Sequence, residues 1–190
     1  MDQDQIPRRG NNFTRKLANA LYRLTGWQVT GSFPNLPKFI IIGVPHTSNW
    51  DFPLAMSFIF QQGVRINWMA KHTLFRWPFR RILDWLGGVP VNRNATRGLV
   101  GEIIDEFQRR RQMVLALSPE GTRSKVDRWR TGFYHMAHGA RIPIVPVQVD
   151  YARKTLGICP PFYTSGDIEH DLPLIKAHFE GITGKNKHQY

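Results

Sequence analysis

The chain has 190 residues, 42% of them hydrophobic, and is therefore long enough to enclose one sizeable core. Lys and Arg outnumber Asp and Glu by 26 to 14, and the net charge of +12 favours an anionic partner: nucleic acid, phospholipid headgroups or a phosphorylated substrate. A single cysteine, Cys159, excludes an internal disulfide and a cysteine-rich zinc site, and it is consistent with a reducing cytosol.

The first predicted element is an amphipathic helix over residues 12–25, after a polar start that lacks the apolar stretch of a signal peptide. Apolar side chains recur there at three- and four-residue steps, and basic side chains lie off that stripe. The helix has two interpretations: it is a terminal helix that packs on its own domain, or it is a basic helix that rests on an anionic lipid surface. Both hold if the helix packs with one edge exposed. The stripe comprises Phe13, Leu17, Ala20, Leu21 and Leu24, and the basic residues are Arg15, Lys16 and Arg23.

Strand and helix patterns alternate after a Gly- and Pro-rich connection over 31–37. The most apolar run, within 37–45, is short and bounded by prolines, which indicates a buried strand and not the roughly 20-residue span of a membrane helix. The alternation predicts an α/β fold, with a mostly parallel central sheet flanked by helices, in one domain over 1–190. Strands are predicted over 38–43, 64–70, 89–91, 113–117 and 143–150, and helices over 52–62, 78–86, 96–111, 131–139 and 171–179, with a further candidate strand in the less regular tail after 155.

Three loops follow predicted strands directly and are dense in polar, glycine and proline residues: 44–51, 87–93 and 118–130. Ligands of open α/β sheets bind outside the carboxyl ends of the strands. We therefore expect the functional site where these loops converge.

The first of these loops contains His46 and Asp51, which are five residues apart. On a continuous helix their side chains would point about 140° apart, so they can cooperate only across a turn that leads into a helix. Pro53 and the helix-capping character of Asp51 favour such a turn. A carboxylate directed at one imidazole nitrogen leaves the other free to act as a general base. The alternative is that Asp51 only caps the helix and His46 is an ordinary strand-end residue.

The third loop contains the sequence Ser-Pro-Glu-Gly-Thr-Arg-Ser over 118–124. Gly121 permits backbone geometry closed to other residues, and Thr122 offers a hydroxyl. Arg123 is a candidate anion clamp because guanidinium binds phosphate through two parallel hydrogen bonds. Glu120 either holds that arginine or binds a substrate hydroxyl. The alternative is a charged surface turn.

Together, His46-x4-Asp51 and the Pro-Glu-Gly-Thr-Arg-Ser segment some 69 residues later resemble the glycerolipid acyltransferase family, whose best-known members are the 1-acylglycerol-3-phosphate acyltransferases. Two weaker blocks occur in the family's order. One runs from Lys71 through Pro78 to Arg93, and the other from Gly132 through the strand 142–147. The resemblance covers about residues 38–150, the expected catalytic core.

The resemblance implies transfer of a fatty acyl group from a thioester, acyl-CoA or acyl carrier protein, to a hydroxyl of a lysophospholipid-like acceptor such as 1-acylglycerol-3-phosphate. His46 would remove the hydroxyl proton, and Asp51 would orient the imidazole and stabilise its charged form. No cofactor is implied beyond the thioester co-substrate. The implied partners are the acceptor, the donor and an anionic membrane surface, with a cytoplasmic, peripheral location at the inner face of the membrane.

The resemblance also assigns substrate-binding residues. Arg93 and Arg123, with Lys71, would hold the acceptor's phosphate, and Glu120, Gly121 and Thr122 would shape that pocket. The strand 142–147 is similar to the block associated with the acyl donor.

Other functions fit the sequence less well. A nucleic-acid binder could use the run 109–111, but this run lies at the predicted end of a helix, where cations complement the helix dipole, and no zinc-finger or RNA-binding motif occurs. A serine hydrolase using Ser48 would lack the Gly-x-Ser-x-Gly elbow; Ser48 is instead expected to hydrogen-bond the backbone of its turn. His135 and His138 lack a nearby carboxylate for a metal site. A non-catalytic lipid-binding module of the same fold remains an alternative.

Overall fold

The computed structural model describes residues 4–91, 98–122, 126 and 128–186, with the backbone alone for residues 70, 71 and 91. The strands are β1 (Gln28–Thr30), β2 (Lys38–Val44), β3 (Ile66–Lys71), β4 (Gly88–Val91), β5 (Met113–Leu117), β6 (Ile144–Asp150) and β7 (Thr155–Ile158). The helices are α1 (Asn12–Thr25), α2 (Asp51–Gln62), α3 (Arg80–Trp85), α4 (Gly98–Arg109), α5 (Gly132–Ala140) and α6 (Ile168–Ala177).

Within this part of the chain, seven strands form one sheet in the order β1-β7-β6-β2-β5-β3-β4. All neighbours are parallel except β6 and β7, which form an antiparallel pair. The predicted α/β fold with a mostly parallel sheet is therefore confirmed. The loops after β2, β5 and β6 leave the same edge of the sheet, because these three central strands run parallel to one another.

The two faces of the sheet are packed against different helices. Along β2, Phe39 and Ile41 point into a core shared with α1 and α2, whereas Ile40 and Ile42 point into a core shared with α4, α5 and α6. This alternation is the period of two that a strand imposes on its side chains. Because β2 is buried on both faces, it has the continuous apolar sequence that identified it as a strand.

The structure agrees with most of the predicted boundaries and adds one strand. β5 has the predicted bounds. Both ends of each of five further elements lie within two residues of the predicted ends: β2, β3, α2, α5 and β6. β1 was not predicted, because its three residues are too few for a periodic pattern; it pairs in parallel with β7. The predicted start of α4 before Gly98 lies outside the described residues.

Helix α1 has the predicted bounds and packs on the rest of the domain, as one interpretation expected. Asn11 and Thr14 form a reciprocal capping box at its start, and Gly26 ends it with a φ of 74°. The helix packs on α2, and its buried residues are Ala18 and Tyr22. The predicted apolar stripe is exposed, so α1 packs on the domain with one edge uncovered; contact of that edge with lipid stays a prediction.

Candidate active site

The turn between β2 and α2 brings His46 and Asp51 together. His46 Nδ1 lies 2.9 Å from Asp51 Oδ2, and the backbone N–H groups of Thr47 and Ser48 donate to the same oxygen at 2.9 Å each. The Asp51 carboxylate therefore organises the whole turn. Within the described part of the chain, no group bonds the other ring nitrogen of His46, Nε2, and the His46 side chain is 36% exposed.

The predicted capping role of Asp51 is wrong. Helix α2 begins at Asp51, Trp50 occupies the N-cap position, and none of the side chains that the structure describes caps the helix there. The Asp51 carboxylate points back to the preceding turn because the backbone donors of Thr47 and Ser48 and the His46 ring lie on that side. Ser48 behaves as expected: its Oγ accepts from the Trp50 N–H at 3.2 Å.

Tyr151 joins this pair from the neighbouring strand. It follows β6 directly, and its hydroxyl donates to Asp51 Oδ1 at 2.6 Å. Burial by itself raises the pKa of Asp51, but the hydrogen bonds from His46, Tyr151 and Ser48 outweigh it, and the pKa lies below its ordinary value. Burial and the contact with Asp51 raise the pKa of Tyr151, which keeps the phenol protonated as a donor. Both carboxylate oxygens of Asp51 are thus bonded.

The sequence analysis missed Tyr151 because it lies 100 residues from Asp51 in the chain. The available signal was its position directly after the predicted strand 143–150. That signal becomes informative only once β6 is known to pair with β2.

Glu120 supports His46 from the loop after β5. Its Oε2 accepts from the His46 backbone N–H at 2.7 Å and from the Ser118 hydroxyl at 3.1 Å. Only 5% of the residue is exposed, and this burial raises the pKa of its carboxyl despite those two hydrogen bonds. The structure therefore brings the first and third family motifs into direct contact. Whether Glu120 also touches Arg123 lies outside the described residues.

The predicted phosphate-binding residues are described only in part. Arg93 and Arg123 lie outside the described residues, as does the side chain of Lys71. Gly121 has a φ of +66°, a backbone conformation that favours glycine, and a Cβ there would lie 2.8 Å from Nε of the Arg130 side chain. Arg130, which the sequence analysis did not single out, thus lies against the loop that carries Glu120.

An apolar cavity of about 270 Å³ opens beside His46. It lies between α2 and the sheet, and His46, Asp51 and Ser118 are the polar residues among those that line it. Gly43 of β2 is also in the wall, and a Cβ built on it meets no atom within 4 Å. The cavity suits a long apolar group whose end lies at the imidazole.

The C-terminal segment 183–186 closes one side of the catalytic turn. Asn186 donates from Nδ2 to the Thr47 carbonyl at 2.8 Å, and the Lys185 ammonium lies 4.6 Å from the centroid of the Trp50 ring. The Tyr151 N–H donates to the Thr183 carbonyl at 2.9 Å. This segment therefore contacts both the turn and the strand end that carries Tyr151.

Features behind the rival functions lie away from this turn. His138 stacks on Tyr134 and bonds Thr164, and no group of three or more metal-ligating side chains occurs in 4–91, 98–122 and 128–186. Arg109 and Arg110 pair with Glu106 at the end of α4. Over the same ranges, no helix has the length and apolar character needed to cross a bilayer.

Comparisons with known proteins agree with these motifs. A family model described as Acyltransferase matches residues 28–150. The chain is 32% identical over 120 residues to the 1-acyl-sn-glycerol-3-phosphate acyltransferase of Escherichia coli (strain K12), a match covering 60% of this chain and 47% of that protein. The protein of the same name from Salmonella typhimurium is 31% identical over 111 residues, covering 55% and 44%. The chain spans about half the length of these relatives.

A solved structure shares the fold. The crystal structure of the 1-acyl-sn-glycerophosphate (LPA) acyltransferase PlsC from Thermotoga maritima matches with a TM-score of 0.59 and 19% identity, covering 88% of this chain and 78% of that one. At this identity the likeness concerns the fold alone.

Proposed function

This chain belongs to the acyltransferase family, and on that premise we propose that it moves a fatty acyl group from acyl-CoA or acyl carrier protein to a hydroxyl of a lysophospholipid-like acceptor such as 1-acylglycerol-3-phosphate. The names of the matching relatives support this acceptor class. The resemblance found in the motifs is confirmed at the level of the family.

The observation that carries the proposal is the position of the His46–Asp51 pair at the mouth of an apolar cavity. A fatty acyl chain in that cavity would place its thioester carbonyl next to the free imidazole nitrogen. Burial of each methylene contributes about 0.8 kcal/mol, so a long chain can be fixed without polar contacts. The polar groups are then confined to the end where the bond changes.

In the proposed reaction, His46 Nε2 takes the proton from the acceptor hydroxyl as its oxygen attacks the thioester carbonyl carbon. The tetrahedral intermediate collapses, the C–S bond breaks, and the imidazolium returns its proton to the leaving thiolate. Asp51 stabilises the imidazolium and fixes the ring, as a buried carboxylate does in other His–Asp pairs. The products are the ester and the free thiol, and the chain itself is not acylated.

The acceptor's phosphate would be bound by Arg93 and Arg123, with Lys71, as the family motifs imply. Gly121 supports this assignment, since it lets the loop that carries Thr122 lie close to Arg130. Arg130 would add a further cation to this group. Arginine suits a phosphate because its planar donors match two oxygens at once.

We further propose that the protein is peripheral, at the cytoplasmic face of the membrane. The exposed stripe of α1, flanked by Arg15, Lys16 and Arg23, supports contact with anionic lipid, because apolar burial and headgroup attraction add together at an interface. Such a location gives the site access to an acceptor that is itself a lipid.

The test is an acyl-transfer assay with labelled acyl-CoA and acyl carrier protein against a panel of lysolipids. The parent should acylate 1-acylglycerol-3-phosphate. His46→Ala should lower kcat by about 10²–10⁴-fold, because the general base is lost. The matched control is His135→Ala, an exposed histidine of α5, which should leave kcat unchanged. Turnover of the His46→Ala variant at the parent's rate would exclude this role. Absence of transfer by the parent, with lysolipid still bound, would favour a non-catalytic module.

A further inference from the structure

A second exposed apolar segment lies between β3 and β4. Residues 76–82 are all exposed, and Trp77, with 90% of its surface accessible, is the most exposed of them among the large apolar residues. The exposed apolar side chains of this segment are Leu74, Trp77, Phe79, Ile82 and Trp85. Neither core cluster of the described residues includes them. We call residues 74–85 the aromatic segment.

The packing of the fold does not account for this segment. Soluble proteins expose single apolar residues routinely, but a contiguous group of large ones marks an interaction surface. The aromatic segment includes two tryptophans, which favour the boundary between water and lipid because the ring is apolar and its N–H is polar.

The aromatic segment is also basic. Arg76, Arg80 and Arg81 are exposed beside the apolar side chains, and the acidic residue in the segment is Asp84, which lies 3.6 Å from Arg80. An anionic surface would therefore be attracted to the same place where apolar side chains are available. A second copy of this chain is a poor occupant, because a two-fold contact would bring these arginines against themselves.

The aromatic segment lies on the same side of the sheet as α1. Trp85 contacts Phe60 of α2, with ring centroids 6.2 Å apart, and the Arg9 guanidinium lies over both rings. Helix α1 packs along α2 as well. The outer side of α2 is apolar like its neighbours, since 52–62 contains no charged residue and Phe52 is exposed. α1, α2 and the aromatic segment thus present one apolar face bordered by cations.

This face borders the candidate active site. Phe52 lines the cavity beside His46 and packs edge-on against Trp68 of β3, with ring centroids 5.5 Å apart. Leu74 and Trp77 follow the carboxyl end of β3, the edge of the sheet from which the catalytic turn also leaves. A lipid surface against this face would lie next to the mouth of the cavity.

We propose that the aromatic segment is a second membrane anchor, which inserts its apolar side chains into an anionic lipid surface while α1 docks beside it. The proposal deepens the peripheral location given above and rests on it, but vesicle binding can be measured without turnover. The two anchors flank α2 and so fix the orientation of the cavity towards the membrane.

A fluorophore placed at position 77 tests the proposal directly. In a Cys159→Ser background, Trp77→Cys is labelled with an environment-sensitive dye, and Tyr163→Cys is the matched control, an exposed aromatic residue outside this face. With phosphatidylcholine vesicles that contain phosphatidylglycerol, the emission at position 77 should shift to the blue and that at position 163 should not. No shift at position 77, or equal shifts at both positions, would overturn the proposal.

A second measurement separates this anchor from catalysis. Trp77→Ser should weaken partition onto the same vesicles by about tenfold, because a large apolar group is lost from the interface, while Tyr163→Ser should not. Both substitutions are at exposed positions, and circular dichroism checks their fold. If Trp77→Ser binds vesicles more weakly than Tyr163→Ser but the parent transfers no acyl group, only the proposed function is wrong. If Trp77→Ser and the parent partition equally, only the proposed anchor is wrong.

Discussion

At the scale of single residues, the candidate site is a chain of hydrogen bonds that ends at one imidazole. Tyr151 donates to one oxygen of Asp51, the other oxygen receives two backbone N–H groups, and His46 lies against that oxygen. Glu120 fixes the same histidine through its backbone. The ring is thus oriented from two independent sides, and each side can be removed separately.

Tyr151 should act as a positioning residue, and Tyr151→Phe removes its hydroxyl with little change in shape. We expect kcat to fall by about tenfold with KM unchanged, as for loss of one hydrogen bond to a charged group. Loss of that bond should also raise the pKa of Asp51 from its lowered value. Asp51 contributes to the free energy of unfolding above its ordinary pKa, and this contribution is lost as pH falls through the lowered pKa. The contribution should be smaller in Tyr151→Phe.

Steady-state kinetics and urea unfolding between acidic and neutral pH check this. Tyr163→Phe is the control, since Tyr163 is exposed and is not among the residues that bond Asp51. An unchanged pH dependence of unfolding in Tyr151→Phe would reduce Tyr151 to a packing residue.

Glu120 is buried with a raised pKa, so its ionised form is disfavoured in the folded state. The free energy of unfolding should therefore fall as pH rises from the ordinary carboxyl pKa through the raised one, and stay level above it. Glu120→Gln keeps an acceptor for the His46 N–H and removes the charge, so this decline should be smaller in the variant. Denaturant unfolding across that pH range measures it, and parallel curves for parent and variant would contradict the assignment.

At the scale of elements, the sequence predicts the strands, helices and turns that short contiguous stretches determine by themselves. The apolar run of β2, the pattern of α2 and the turn between them are contiguous, and from them both the strand and the His46–Asp51 contact could be predicted. The contact of Glu120 with His46 required the pairing of β2 with β5, which no local pattern specifies. α1 shows the converse: its bounds follow from periodicity, but periodicity does not say whether the apolar stripe meets protein or lipid.

The cavity between α2 and the sheet should set the preferred acyl chain length. Gly43 lies in its wall with open space where a side chain would project, so Gly43→Leu can fill the cavity without displacing a neighbour. We expect kcat/KM for long acyl donors to fall by about tenfold or more, while short donors are affected less. Competition assays with acyl-CoA of graded length measure the ratio.

The control for Gly43→Leu is Ala177→Leu, which adds a comparable side chain at an exposed position on α6. This variant should leave the chain-length profile of the parent intact. A uniform loss over all donors in Gly43→Leu would show that the substitution disturbs His46 and not the acyl chain.

At the scale of the whole molecule, the two faces of the sheet differ in how completely helices cover their apolar side chains. The face under α4, α5 and α6 encloses a core that includes the large buried side chains of Phe107, Phe133 and Tyr134. The other face has a core of its own, but the helices over it leave apolar side chains uncovered. In the proposed membrane contact, the net charge of +12 would attract anionic lipid, and salt would weaken this attraction, whereas the apolar contacts would persist in salt.

Vesicle binding and acyl transfer should therefore be separable by mutation. The double substitution Phe13→Ser with Leu24→Ser on α1 should affect vesicle binding and not the chemical step. Both side chains are exposed, so the fold should be retained while vesicle binding weakens by about tenfold or more. Transfer to an acceptor embedded in vesicles should then need a correspondingly higher lipid concentration, and transfer to a short-chain acceptor in solution should keep its kcat. His46→Ala should show the reverse: full vesicle binding with no transfer to either acceptor. If the α1 variant lost both activities equally, α1 would be part of the catalytic fold and not a membrane contact, because a helix that only docks has no effect on a substrate that is already in water.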